Sequence, residues 1–384
     1  MSINNQSFYP ISSIYTENKI IKPNSVNKIA DLVNEKANLE EVSSTLLTLD
    51  IQPDNAEEIA MYAKQQMQVA TKMVDVNREN EIAQALAKST IDYSKKLLGI
   101  EAWTSGGGKM FSSALSLIFD NEKNNAKTSG YALENLFQLA IMDFISRGLK
   151  STKNATITMM HFLESTGSGS HGFHENFDGE EFSHICSSIF DTLMDKSPQN
   201  SLCSEILTYI NNNCNGKQAL KDQYTNHYRD SDGFVCDPGY SSNSGLSPML
   251  RTALMSAYLK KKEIKRSDVE IFLAAPIGTL NQFITANTTY TSAMEFLFDN
   301  DGYGHQKGWR EVPQNDHIVI DWLGDGLDTN YFKQLYSHFP PRELTNEDVE
   351  EVNRIGDQVK IIQQTLKYWL SKCADERLAI ARNI

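Results

Sequence analysis

Residues 344–384 read LTNEDVEEVNRIGDQVKIIQQTLKYWLSKCADERLAIARNI, and their spacing decides the fold. Steps of three and four pick out Val352, Ile355, Val359, Ile362, Leu366, Trp369, Cys373, Glu376 and Ile380, of which all but Glu376 are apolar. A heptad seam of this length belongs to a helix that packs along another long helix. Thr345 and Asp348 stand in capping-box spacing, and Leu344 is placed as a hydrophobic staple to Val349. Glu347, Asp348, Glu350 and Glu351 crowd the first turns while Arg377 and Arg382 sit in the last, which suits the helix dipole. No proline interrupts the run, and Gly356 is its one weak position, at roughly 1 kcal/mol against alanine. At 1.5 Å per residue such a helix is about 60 Å long, more than one globule supports, so it needs a partner.

A second proline-free run, residues 55–98, supplies one. Pro53-Asp54-Asn55 is its start signal, and its stripe reads Ile59, Tyr62, Gln66, Val69, Met73, Val76, Asn80, Ala83, Ala87. The stripe then drifts toward Leu86, Tyr93 and Leu97, and the run ends at Gly99. Its length, about 65 Å, matches that of the C-terminal helix. The expected fold is mainly α with some strand (α+β). Two long helices, antiparallel or otherwise paired, form an intramolecular coiled coil around a large, mixed, mostly helical insert. The expected divisions are a polar N-terminal segment with short helices (1–50), the first long helix (55–98), the insert (100–341) and the C-terminal helix (344–384). Two unrelated amphipathic helices are the plainer alternative.

Composition narrows the function. A chain of 384 residues, 40% hydrophobic and 22% charged, is long enough for two domains. The net charge of −13 argues against nucleic acid as a partner, because phosphate neutralisation needs clustered lysine and arginine. The one basic cluster, Lys260-Lys261-Lys262 with Lys265-Arg266, reads as a solvated helix end. The most apolar stretches, Leu136–Ile145 and Val269–Leu280, fall short of the ~20 residues of a membrane span. Cys186, Cys203, Cys214, Cys236 and Cys373 are odd in number and lack CxxC spacing, so free thiols in a reducing cytoplasm are expected at folding.

Residues 1–50, rich in Ser, Asn, Ile and Thr, lack the basic and apolar regions of a Sec signal peptide. Trp103–Lys109 reads as a glycine loop between helices, and residues 111–150 as two further helices. Residues 154–163 (NATITMMHFL) carry β-branched positions and suggest a strand. Gly167–Gly172 matches G-x-G-x-x-G, but no helix opens on it and no βαβ unit follows, so a connector is expected rather than a dinucleotide site. His171, His174 and Glu175 lack zincin order and read as surface residues. Residues 180–212 form two helices, 213–248 a loop, 250–259 a helix, and Ser267-Asp268 caps Val269–Leu273. Asn281–Phe298 reads as one helix and His317–Trp322 as a strand. Asp299–Gly304 lacks both end ligands of a calcium loop, since Leu297 and Gly308 stand there, so a turn is expected. Asp321, Asp325 and Asp328 form an acidic loop, and Pro340-Pro341 closes the insert.

No nucleophile, base and orienter assemble from this sequence, and no cofactor, metal or catalytic residue is expected. The chain is read as an interaction protein. Its plan is a polar start, the Ile59–Leu97 stripe, a mixed insert, and the Val352–Ile384 seam. That plan resembles the hydrophilic translocators, or needle-tip proteins, of bacterial type III secretion, in particular the IpaD/SipD group. The likeness covers the two ends, roughly a quarter of the chain. It implies an N-terminal export signal and a virulence protein folded in the cytoplasm, then secreted to the needle tip at the cell surface. There it supports insertion of the translocon and effector delivery. The implied partners are the needle subunit, the hydrophobic translocators, further copies of the chain at the tip, and a host membrane or host protein. The interaction residues on this reading are Val352, Ile355, Val359, Ile362, Leu366, Trp369, Ile380 and Ile384 on one helix and Ile59, Val69, Met73 and Val76 on the other. The alternative is a type III effector acting inside the host cell with its chemistry in the insert; a cytoplasmic coiled-coil scaffold is a third reading.

Overall fold

The computed structural model describes residues 59, 64, 78–125, 131–149, 151–168, 178–227, 245–304, 306–314, 317–337, 339, 341 and 343–382. Among these the chain is mainly helical, with thirteen helices and one two-stranded hairpin. It divides into two compact units. One is built from both ends, residues 1–98 and 347–384, and the other is continuous, residues 99–346.

In the end-to-end unit lie the first 21 residues of α1 (Arg78–Ser105) and nearly all of α13 (Asn346–Arg382). α1 buries Ala83, Ala87, Thr90 and Ser94, each fully. Their steps of four, three and four are the heptad pattern, and every one is small. The buried line therefore does not drift toward Leu86, Tyr93 and Leu97, which are only half-buried. Nor does α1 stop at Gly99. It continues to Ser105, because a glycine with room around it (Ser113 Oγ at 3.6 Å) weakens a helix without ending it. The end comes at Gly106, whose φ of 64° a β-carbon disfavours. The expected glycine loop shrinks to that residue, and Gly107 already opens α2 (Gly107–Asn125).

α3 (Tyr131–Ser146) is the axis of the continuous unit, buried at every position from Leu133 to Phe144. Around it pack α2, α4 (Lys153–Ser165), α5 (Gly179–Lys196), α6 (Leu202–Asn213) and α8 (Pro248–Leu259). α4 replaces the strand expected at 154–163. Thr152 caps it by accepting from the Ala155 N–H, and the hydroxyls of Thr156 and Thr158 bond back to the carbonyls of Thr152 and Asn154. Those bonds remove the β-branched preference for extended chain, while Met159, Met160, Phe162 and Leu163 bury a helical face. Phe162 sits edge-on to Phe137 at 5.2 Å, stacks on Phe182 at 5.8 Å and meets Tyr224 at 6.1 Å.

Three more boundaries differ from the sequence reading. α7 (Gly216–His227) occupies part of the expected loop; Asn215 and Gly216, both at positive φ, turn the chain so that Leu220, Gln223 and Tyr224 are buried. Tertiary burial here outweighs a polar composition. α9 (Arg266–Leu273) begins one residue before Ser267, with Lys265 at the cap position and no side-chain cap bond. Asn281–Phe298 is two helices, α10 (Ile277–Asn287) and α11 (Ala293–Asn300), because Thr288 leaves the helix extended and Ser292 caps the next by accepting from Glu295 N–H.

β1 (Gly308–Gln314) and β2 (His317–Leu323) pair antiparallel, with Trp309 opposite Trp322 and Gln314 opposite His317. The indoles meet edge-on at 5.4 Å, and Trp309 Nε1 donates to the Tyr331 hydroxyl of α12 (Thr329–Ser337) at 2.8 Å. No helix among the described residues is long and apolar enough to cross a membrane.

The helical reading of α4 has a direct check. Phe162→Ala should cost about 3–5 kcal/mol in urea unfolding, and Ile157→Ala, on the exposed side of the same helix, within about 0.5. Met159 separates helix from strand: buried in the helix, Met159→Ala should cost about 2–5 kcal/mol, whereas in a strand residue 159 would share the exposed face of Ile157 and the change would be nearly neutral.

Candidate functional site

Two kinds of feature compete for this place: polar clusters inside the continuous unit, and the two faces of α13. Because α3 is buried all round, its polar side chains must find partners in the protein. Glu134 Oε2 accepts from the Gly167 N–H at 2.8 Å, and Gln223 Nε2 donates to its other oxygen. Asn135 accepts from the Ser168 N–H and donates to Ser168 Oγ, both at 3.0 Å. Gln138 donates to the Thr166 carbonyl at 2.7 Å and accepts from the Met249 N–H. The Ser247 N–H donates to the Ser168 carbonyl at 2.7 Å. Together these bonds pin the start of the glycine motif and the approach to α8 onto one helix. Gly167 has a φ of 83°, and a β-carbon there would lie 2.8 Å from Ser247 Cβ and 2.9 Å from Asn135 Oδ1. Its glycine answers to packing. Gly169, Gly172, His171, His174 and Glu175 lie outside the described residues.

The other clusters are likewise occupied by the fold. Arg251 is buried and donates to the carbonyls of Leu246, Phe272 and Ala275 at 2.9–3.1 Å, satisfying the end of α9. Burial lowers its pKa and raises that of Glu122, whose charge opposes the effect on Arg251. Asp143, also buried, accepts from Arg147 Nε at 2.8 Å and from the Cys203 N–H at 2.9 Å, placing an anion at the start of α6. Glu164 bridges His161 Nδ1 and the Leu327 N–H, each at 2.6 Å. A carboxylate that orients an imidazole is half of a catalytic arrangement, yet here the same carboxylate anchors the loop after β2, with Gly326 pressed 3.0 Å (as a virtual β-carbon) from His161 Cε1.

Asp301 accepts from the N–H groups of Tyr303 and Trp309 and from Arg310 Nη1, at 2.8–3.0 Å. Burial pushes its carboxyl up, against the pull of Tyr303 N–H and Arg310. The turn expected at 299–304 is shorter, because Asp299 and Asn300 still belong to α11 and only residues 301–304 bend around that carboxylate. Asp328 accepts from Asn330 and Tyr331 N–H at the start of α12, and Asp321 is buried on β2. Among the described residues no group of three or more His, Cys, Asp or Glu side chains is placed to hold a metal ion. Cys186, Cys203 and Cys214 are free and buried, and burial pushes the Cys203 thiol up to about 12.

On α13 the seam positions Ile355, Val359 and Leu366 are buried, and Val352, Ile362 and Trp369 are half-buried. Ile59 is buried as well. Val69, Met73, Val76 and Ile384 lie outside the described residues; Ile380 falls within α13, but its side chain is not described. The bonds to Glu351 raise the Arg354 pKa above its ordinary value, with a smaller contribution in the same direction from Tyr93. The far side of α13 holds two residues that heptad reading passed over. Ile361 is 63% and Tyr368 59% exposed, the highest values among the described large hydrophobic side chains. Lys360 and Gln364 beside them are exposed, while Lys367 and Ser371 are half-buried. The signal was present in the sequence as a seven-residue interval within the polar phase.

No protein-family model, curated protein or solved structure matches this chain.

The clamp on α3 predicts a contrast between two glycines. Gly167→Ala should cost about 2–4 kcal/mol, from a left-handed φ and overpacking together. Gly108→Ala, with nothing within 4 Å of the added carbon, should be neutral or stabilise by about 0.4–1 kcal/mol. Denaturant midpoints of the two variants measure both.

Proposed function

We propose that this chain is a secreted hydrophilic translocator of the needle-tip type, acting by binding rather than by catalysis. The observation that carries the reading is the end-to-end unit: residues 1–98 and 347–384 form one compact body that contains a long helix with a buried heptad seam. A tip protein needs a rigid rod that another assembly can grip, and a helix pair closed by both chain ends provides one.

The pairing we propose inside that unit is antiparallel. The two buried seams support it, small side chains on α1 and larger ones on α13. The heptad register we propose sets Ser94 against Ile355, Thr90 against Val359, Ala87 against Ile362 and Ala83 against Leu366. Every small buried residue of α1 then faces a larger apolar residue of α13. Alternation of this kind lets two helix axes approach closely while filling the space between them.

Volume exchange tests the register. Leu366→Ala should cost about 2–5 kcal/mol and Ala83→Leu about 1–3 kcal/mol. Combined, they should cost at least about 1 kcal/mol less than their sum, the coupling expected of touching residues. Strict additivity would separate the two positions in space.

Deletion tests the function. Removing the gene from a bacterium with an active secretion system should stop delivery of every effector, with needles still assembled. Loss of one host-cell activity alone, with other effectors delivered normally, would replace the tip reading with that of an effector.

A further inference from the structure

We propose that the exposed face of α13 is a self-complementary contact, through which two copies of this chain associate antiparallel. Residues Arg354, Asp357, Ile361, Gln364, Tyr368, Lys372 and Asp375 are all exposed. At 100° per residue they fall within about 60° of Ile361, on the side of the helix away from Ile355, Val359 and Leu366. They form a continuous ridge with a large apolar pair at its centre and charges on both flanks.

The order of those charges points to the occupant. Let a twofold axis cross the ridge between Gln364 and Thr365. Ile361 then meets Tyr368 of the second copy, and Tyr368 meets Ile361. Asp357 stands four residues before Ile361, and Lys372 four residues after Tyr368, so Asp357 meets Lys372. Arg354 stands three residues further out on one side and Asp375 three further on the other, so Arg354 meets Asp375. Each of these pairs occurs twice under the axis and each is of opposite sign. A parallel alignment would set Asp357 on Asp357 and Lys372 on Lys372. A two-fold contact must be complementary to itself in this way, and an unrelated partner imposes no such symmetry.

Within one copy the flanking charges are tied only lightly. Arg354 bonds to Glu351 at 2.6 and 2.8 Å, and Lys360 lies 3.9 Å from Asp357, with the Asp357 side chain 77% exposed. Both contacts are solvated and exchange readily for contacts to a second copy. One helix face against another is a small interface, so the association is weak and sensitive to salt. It holds whether or not the chain is exported.

Sedimentation velocity on the full chain over a concentration series tests the contact, with circular dichroism confirming that each variant keeps its helix content. The wild type should show a concentration-dependent monomer–dimer equilibrium that weakens as salt is raised. Ile361→Glu should weaken it at least about tenfold, since two carboxylates enter the apolar centre. Asp357→Lys and Lys372→Asp should each weaken it about three- to tenfold, and the double variant Asp357→Lys/Lys372→Asp should return to within about twofold of the wild type. A wild type that stays monomeric up to several hundred micromolar would overturn the proposal, and so would self-association indifferent to Ile361→Glu. Failure of the double variant to recover would overturn the antiparallel pairing.

Discussion

A helix buried on every side cannot use water to satisfy its polar side chains, and α3 is such a helix. Glu134, Asn135, Gln138 and Asp143 lie on it with almost no exposure. Each unmet bond would cost about 1–3 kcal/mol, a large share of a domain's net stability. The surrounding chain has therefore been placed to supply partners: Thr166, Gly167 and Ser168 after α4, Gln223 on α7, Met249 at the start of α8, and the first turn of α6. Segments far apart in sequence are registered against one another through a single element. Hydrophobic burial makes the core, and these bonds decide which loop lies where.

The end-to-end unit follows a different logic. Its described seams carry few hydrogen bonds and depend on size: alanine, threonine and serine along α1, leucine, isoleucine and valine along α13. Small side chains bury little area themselves, about 0.8 kcal/mol per methylene. What they provide is a shallow channel, in which the larger residues of another helix can be covered. Specificity then arises from volume, since a second helix with bulky residues at the same positions would be held away.

Much of this was legible in the sequence, and the failures share a cause. Helical class was plain because long runs without proline carry apolar residues at three and four. Strand β2 was plain from its β-branched run. Residues 154–163 misled because Thr156, Ile157 and Thr158 favour extended chain locally, whereas Thr152 and the buried Met159–Leu163 face settle the matter through tertiary contacts. α7 hid behind a polar composition, its burial resting on Leu220 and Tyr224 alone of its large apolar residues. The seam of α13 was visible as a heptad, but Ile361 and Tyr368 were not recognised, because a pattern search that assigns one apolar face reads the rest as solvent. Glycine motifs were discounted for lack of a βαβ context, yet the role of Gly167 could not be read from sequence. It depends on a serine and an asparagine eighty and thirty-two residues away.

The split of the chain into an end-to-end unit and a continuous one has a kinetic side. Residues 99–346, 248 of them, separate the two halves of the first unit. Synthesis at about 5–20 residues per second leaves α1 without α13 for roughly 12–50 s. Joining ends separated by a flexible chain of that length costs about 5 kcal/mol in closure entropy, and prior folding of the continuous unit removes most of it by bringing residues 99 and 346 to fixed places. Order is thereby imposed on maturation: the middle can fold as it is made, whereas the two segments of the end-to-end unit can meet only once residues 347–382 have been made. Until then the first segment of that unit waits, already made, for the half that completes its core.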